Sequence, residues 1–147
     1  LTALARTSGW DLTARAEPGL YMIPALGSAI GLAIDKSLGE RRGIRRYGSA
    51  SVPMDEALAD VSLDFSGRPY LVISGELKCA RIGDFETDLL APFLEALAIG
   101  ARLTLHVRFY GENDHHKIES IFKALGLAFR QAAKREGTGV PSTKGLI

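Results

Sequence analysis

Ser28-Ala-Ile-Gly-Leu-Ala-Ile34 and Lys123-Ala-Leu-Gly-Leu-Ala-Phe129 are one motif written twice, 95 residues apart. Two further matches stand in the same order. Leu1-Thr-Ala-Leu-Ala5 resembles Leu94-Glu-Ala-Leu-Ala98, and Trp10-Asp-Leu-Thr-Ala-Arg15 parallels Leu103-Thr-Leu-His-Val-Arg108, each at an offset of 93. Chance supplies one such match among Ala/Leu-rich helices; three in order imply duplication. Each copy reads helix, strand, loop, helix. The chain is therefore expected to be two copies of one α+β unit, about residues 1–50 and 51–135, within a single domain over 1–147, with a loop-like tail over 136–147.

Working outward from the repeat, Pro24 is tolerated in a first helical turn and is expected to open a helix that Gly39 closes after Leu38. Asp84–Ala98 reads as a helix, and so does His116–Arg135, where Ile118, Phe122, Leu125 and Phe129 form an apolar stripe at helical spacing. Leu103–Tyr110 alternates as a strand. Between the copies, Ala57–Phe65, Pro69–Ser74 and Glu76–Ile82 read as strands, with turns at Ser66-Gly67 and at Gly75. These strands precede the second copy, and nothing equivalent precedes Leu1. The first repeat is thus incomplete, which implies a fragment, or strands that are disordered or donated by another chain. Leu1 itself falls in an expected helix, so a truncated or processed N-terminus is expected.

At 147 residues, the chain suffices for one domain with a real core. Its 46% hydrophobic and 24% charged content is that of an ordinary soluble globular protein. A formal net charge of +1 gives no electrostatic case for nucleic acid or a membrane surface. No cleavable signal is evident, and the uncharged run 19–34 is short for a membrane span and holds Pro24, Gly27 and Gly31. The single cysteine, Cys79, fits a reducing, cytoplasmic location, and is expected to be a small buried residue in a strand.

The chemistry concentrates in Glu112-Asn-Asp-His-His-Lys-Ile-Glu-Ser120, which holds two of the three histidines. Glu119 follows His115 and His116 at i+4 and i+3, spacings that bring side chains together on one helical face. Imidazole and carboxylate together suit a divalent transition ion. Adjacent helical residues point about 100° apart, so two ions, or one shared with another element, fit this pair more easily than one ion alone. The plain alternative is a polar helix start.

Five separated motifs then carry a family resemblance: Arg42-Gly-Ile-Arg-Arg-Tyr-Gly48, Val52-Pro-Met-Asp-Glu-Ala-Leu58, Asp64-Phe-Ser-Gly-Arg-Pro-Tyr70, Gly111–Glu119 and Val140-Pro-Ser-Thr-Lys-Gly145. In type and order, they resemble imidazoleglycerol-phosphate dehydratase. The resemblance implies a cytoplasmic lyase of histidine biosynthesis that dehydrates imidazole glycerol phosphate to imidazole acetol phosphate. It implies two Mn2+ ions, a large homo-oligomer, a small phosphorylated imidazole as substrate, and neither nucleic acid nor membrane as partner. The fold it implies is a duplicated unit, ribosomal protein S5 domain 2-like, with a mixed or antiparallel sheet and helices on one face.

Residue by residue, the resemblance assigns His106, His115, His116 and Glu119 to metal, with His115, His116 and Glu119 at the catalytic centre. Lys123 matches a substrate-contacting lysine; Arg46, Arg68, Ser142, Thr143 and Lys144 match the phosphate-holding positions. Arginine suits that task because its planar fork grips phosphate bidentately. Asp55 and Glu56 match an acidic pair and remain second-tier candidates. The first repeat departs from the family: Leu20, Tyr21 and Pro24 stand where a second His-His-x-x-Glu is expected. An alternative function follows from that departure, a non-catalytic relative that keeps the phosphate pocket and the assembly surfaces.

Overall fold

A computed structural model describes residues 1–19 and 21–139. Its helices are α1 (Thr2–Ser8), α2 (Met22–Leu38), α3 (Leu90–Gly100) and α4 (Asp114–Ala132). Its strands are β1 (Tyr47–Met54), β2 (Ala57–Asp64), β3 (Tyr70–Ser74), β4 (Arg81–Ile82), β5 (Phe85–Glu86) and β6 (Thr104–Tyr110). The main sheet has the order β1-β2-β6-β3, antiparallel except for the parallel β6–β3 pair. This is the expected α+β architecture, a mixed sheet with helices packed on it.

Period-two alternation decides which face is covered. Ala57, Ala59, Val61 and Leu63 of β2 and Leu105, Val107 and Phe109 of β6 are buried. They meet α4, which lies across β1 and β2, while α3 lies on β3. The opposite face carries Ser51, Asp60 and Arg108 in register on three adjacent strands. There the Ser51 hydroxyl and the Arg108 guanidinium both donate to Asp60.

Helix pairing bears the imprint of the duplication. Helix α1 packs on α4 and α2 on α3, so each first helix of one copy meets the second helix of the other. At the crossings sit Gly31 and Gly126, the shared glycine of the repeated motif. A Cβ on Gly31 would lie 2.5 Å from the Leu97 carbonyl oxygen and 2.7 Å from the Ala101 nitrogen. A Cβ on Gly126 would lie 2.6 Å from the Leu4 carbonyl oxygen and 2.9 Å from the Ser8 nitrogen. Leu97 and Leu4, like Ala101 and Ser8, are 93 residues apart. The two helix crossings are therefore the same crossing twice, and each needs glycine for backbones to approach.

Several expectations are corrected. Trp10–Arg15 forms no strand; its equivalent, β6, lies between β2 and β3, and among the described residues no strand flanks 10–15. Trp10 instead packs against Phe129, the rings tilted by 40° with centroids 5.2 Å apart. Of Glu76–Ile82 only Arg81–Ile82 is strand, in a two-residue pairing with Phe85–Glu86. That hairpin and a 3-10 turn at Thr87–Leu89 occupy the start of the expected Asp84–Ala98 helix. Cys79 is exposed and lies in that irregular stretch. Strand β1, not anticipated, alternates Tyr47, Ser49, Ser51 and Pro53 outward with Gly48, Ala50, Val52 and Met54 inward. As an edge strand it accommodates Pro53, which cannot donate to the ladder.

Candidate active site

Asn113 starts the site by ending the loop. Its side-chain oxygen accepts the backbone N–H of His115 at 2.9 Å and of His116 at 3.4 Å, so α4 begins on a side-chain N-cap. The two imidazoles then leave the first turn in different directions. His115 Nε2 lies 3.2 Å from Glu119 Oε2, and Lys123 Nζ lies 2.9 Å from Glu119 Oε1, making one row along the helix. Lys123 beside it holds the Glu119 carboxyl below its usual range, against the opposing pull of desolvation. The row borders a largely apolar cleft of about 690 Å³, also lined by Ile118, Phe122, Phe93, Leu26 and Arg6. Ile118 and Phe122 are thus half-buried cleft residues, and the fully buried stripe of α4 runs instead through Ile121, Ala124, Leu125, Ala128 and Phe129.

His116 turns the other way, to the tip of the β1–β2 hairpin. That hairpin closes through two residues, Asp55 and Glu56. Asp55 adopts φ +48°, a left-handed conformation that aspartate tolerates better than most residues. Glu56 Oε2 lies 2.9 Å from His116 Nδ1, and Asp55 Oδ2 lies 3.6 Å from His116 Nε2. Glu56 Oε1 meanwhile accepts the backbone N–H of Glu112 at 3.1 Å and of Asn113 at 2.7 Å. The Asn113 N–H and then His116 are the main causes that hold the Glu56 carboxyl down at about 2. A pair left in the second tier by sequence is therefore the closest carboxylate neighbour of His116.

Under the first turn lies a pair that the sequence did not single out. Asp114 and Lys117 are both buried, with Lys117 Nζ 2.6 Å from Asp114 Oδ1. Lys117 also donates to the Glu76 carbonyl at 2.9 Å, and Asp114 Oδ2 accepts the backbone N–H of Lys78 at 2.7 Å and of Cys79 at 2.6 Å. Burial opposes the Asp114 carboxylate, but Lys117 and the two N–H donors outweigh it and bring the carboxyl to about 2. A carboxyl depressed in the folded state stabilises above its unfolded value and loses that contribution as pH falls. The urea-unfolding free energy is accordingly expected to be level above about pH 4 and to decline toward about pH 2. The decline should be shallower in Asp114→Asn, which has no carboxylate to protonate there.

The remaining candidates do not join this cluster within one chain. His106 sits mid-strand on β6 with its side chain on the open sheet face, beside Asp60, Ser62, Val72 and Ser74. Period-two geometry forces this, because Leu105 and Val107 on either side face the helices. His106, assigned to metal with His115, His116 and Glu119 by the resemblance, therefore does not join them within one chain.

Arg46, at φ +74°, precedes β1 and grips Asp64 through Nε at 2.6 Å and Nη2 at 3.0 Å. Arg68 is exposed in the turn after β2, so both arginines lie at one end of the sheet. Lys123 lies at the other end, its Nζ 3.9 Å from Met54 Sδ. The length of β1 separates the two groups by about 25 Å at about 3.3 Å per residue. Ser142, Thr143 and Lys144 lie outside the described residues.

The first-repeat positions are occupied differently. Tyr21 is the N-cap residue of α2, without a side-chain cap, and is exposed; Pro24 falls in the first turn; Leu20 lies outside the described residues. At the repeat offset α2 would begin at Gly19, but it begins at Met22. Without the asparagine cap found on α4, this helix lacks the equivalent first residues. The donor types on α4 suit a divalent ion, yet among the described residues no group of three His, Cys, Asp or Glu side chains is placed to hold one.

The duplicated α+β fold thus sets imidazole, carboxylate and ammonium in one row on α4, with Arg46 and Arg68 at the far end of its sheet. The family model for imidazoleglycerol-phosphate dehydratase matches residues 1–129. The imidazoleglycerol-phosphate dehydratase of Methanosarcina barkeri is 45% identical over 152 residues, covering 100% of this chain and 80% of its own. That of Acetivibrio thermocellus is 46% identical over 155 residues, at the same coverage. The crystal structure of the Staphylococcus aureus enzyme superimposes with a TM-score of 0.87 at 37% identity, covering 91% of this chain and 79% of its own. The Pyrococcus furiosus enzyme, solved in complex with (S)-C348, gives 0.86 at 39% identity, covering 99% and 82%. The chain belongs to the imidazoleglycerol-phosphate dehydratase family, a family of hydro-lyases.

Proposed function

We propose that the protein removes water from imidazole glycerol phosphate to give imidazole acetol phosphate, in cytoplasmic histidine biosynthesis, as a Mn2+-dependent large homo-oligomer. Family membership over most of the chain carries this reading. The row His115–Glu119–Lys123 supports it chemically, because the reaction must break a C–H bond and expel a hydroxyl. Glu119 offers a carboxylate for holding an ion or a proton, and Lys123 an ammonium for an anionic substrate. Arg46 and Arg68 are assigned to the substrate phosphate, whose binding energy would fix the reacting carbons in place.

His115, His116 and Glu119 would hold Mn2+, His106 being assigned to metal by family resemblance alone. Bound there, the ion would supply electrostatic stabilisation to the substrate imidazole as it becomes electron-rich. Separation of the donor groups within one chain supports assembly, since a second copy would have to bring the missing ligands and the arginine end of its sheet. The test is direct. Product formation is expected from metal-stripped protein on adding Mn2+, together with light scattering well beyond a dimer. A folded preparation that is monomeric and yields no product with Mn2+ would overturn the reading.

A further inference from the structure

We propose that Glu56 is the positioning residue that fixes the tautomer of His116, placing its proton on Nδ1 and keeping the Nε2 lone pair free. The geometry is specific to the two oxygens of one carboxylate. Oε1 is committed to the backbone N–H groups of Glu112 and Asn113, at 3.1 and 2.7 Å. Oε2 is left to face His116 Nδ1 at 2.9 Å. An ionised carboxylate only accepts hydrogen bonds, so the neutral imidazole must present its N–H at Nδ1.

The competing arrangement is weak. A proton on Nε2 would point toward Asp55 Oδ2, but that oxygen is 3.6 Å away, beyond hydrogen-bond reach, and Asp55 is largely exposed. Protonating Nε2 would also set the bare Nδ1 lone pair against the Oε2 lone pairs at 2.9 Å. Glu56 is itself held in place, because its carboxylate joins the hairpin tip to the two backbone groups leading into the α4 cap.

For a nitrogen that ligates a metal or accepts a proton, the lone pair is the working part. An imidazole that donates its other N–H to a carboxylate is both oriented and made more basic. The proposal rests on the reading of His116 as a site residue only for its functional consequence. The tautomer itself is a property of the metal-free protein.

Glu56→Gln separates the two roles of the carboxylate. Glutamine has one accepting oxygen, and two backbone N–H groups compete for it against one imidazole. With the oxygen on the backbone, the amide NH2 faces His116 Nδ1, which must then accept; the ring proton moves to Nε2. Long-range 1H–15N correlation spectra of metal-free protein, at a pH above the ordinary imidazole titration range, read this directly.

The wild type is expected to show a pyrrole-type Nδ1 and a pyridine-type Nε2 at His116, and Glu56→Gln the reverse, with His115 unchanged. A merely structural role for Glu56 would leave the tautomer alone in any folded variant. An Nε2–H tautomer in the wild type, or the same tautomer in both proteins, would overturn the proposal. Mn2+ titration serves as the second readout, with affinity expected to fall about 10–100-fold in Glu56→Gln, the scale for lost outer-shell partners. If the wild type binds no Mn2+ while the tautomer inverts as stated, the metal reading fails and the positioning role of Glu56 stands. Equal Mn2+ affinity in two proteins that both bind it would deny the tautomer its functional consequence and overturn the positioning claim.

Discussion

Lys117→Met is expected to destabilise the protein by about 3–5 kcal/mol, the cost of leaving one charge of a buried pair unmatched. Methionine keeps the aliphatic length and removes only the ammonium. Asp114 then remains in a buried site with the Lys78 and Cys79 N–H groups but without its cation. The Glu76 carbonyl also loses its donor. At this chain length the loss corresponds to a fall in Tm of about 10–15 °C, measurable by calorimetry. In the Asp114→Asn, Lys117→Met double variant the uncompensated charge is gone, and the asparagine amide oxygen can still accept a backbone N–H. It should recover a substantial part of the loss, and strict additivity of the two single changes would show that the pair is not coupled.

This pair also shows where sequence reading stops. Apolar periodicity at Ile118, Phe122, Leu125 and Phe129 places a helix over His116–Arg135, whereas the helix spans Asp114–Ala132 and buries Ile121, Leu125 and Phe129. The same rule assigns Asp114 and Lys117 to solvent, since charged residues are almost never fully buried unless paired. Only the backbone of residues 76–79, folded back against the helix start, creates the pocket in which they pair. The glycine-containing motif, by contrast, was legible. Gly31 and Gly126 sit at equivalent close crossings because the duplication preserved both the glycines and the carbonyls they approach.

The candidate site divides along the same line. His115, Glu119 and Lys123 were readable as a row, since i, i+4 spacing on a helix is local geometry. His106 was assigned by resemblance alone, while its position is governed by alternation along β6, which puts it on the opposite sheet face. Glu56 was ambiguous because a hairpin-tip carboxylate has no partner until the hairpin meets α4. Strand β1 was obscured by Pro53 and by small residues that pack through their backbones. Gly48, for instance, lies directly against the carbonyl of Ala128, where no side chain fits.

His116→Ala is expected to lower Mn2+ affinity by more than about 100-fold, exceeding the 10–100-fold scale for outer-shell changes because a proposed ligand itself is removed. The helix should survive the change. The Asn113 cap acts through backbone N–H groups that alanine retains, and the Asp114–Lys117 pair and the Ile121–Ala128 packing lie on the other side of α4. Glu56 keeps its bonds to the Glu112 and Asn113 N–H groups, so the hairpin tip stays docked. The stability change should accordingly stay at about 1 kcal/mol, the scale of losing one hydrogen bond at a half-buried position. Calorimetric titration of Mn2+ into metal-stripped wild type and variant, with parallel thermal melts, separates lost ligation from lost fold. Wild-type binding should weaken in acid, because only neutral imidazole ligates, and the variant should lose much of that pH dependence. Equal Mn2+ affinity in two equally stable proteins would make His116 ordinary helix surface and move the metal centre elsewhere.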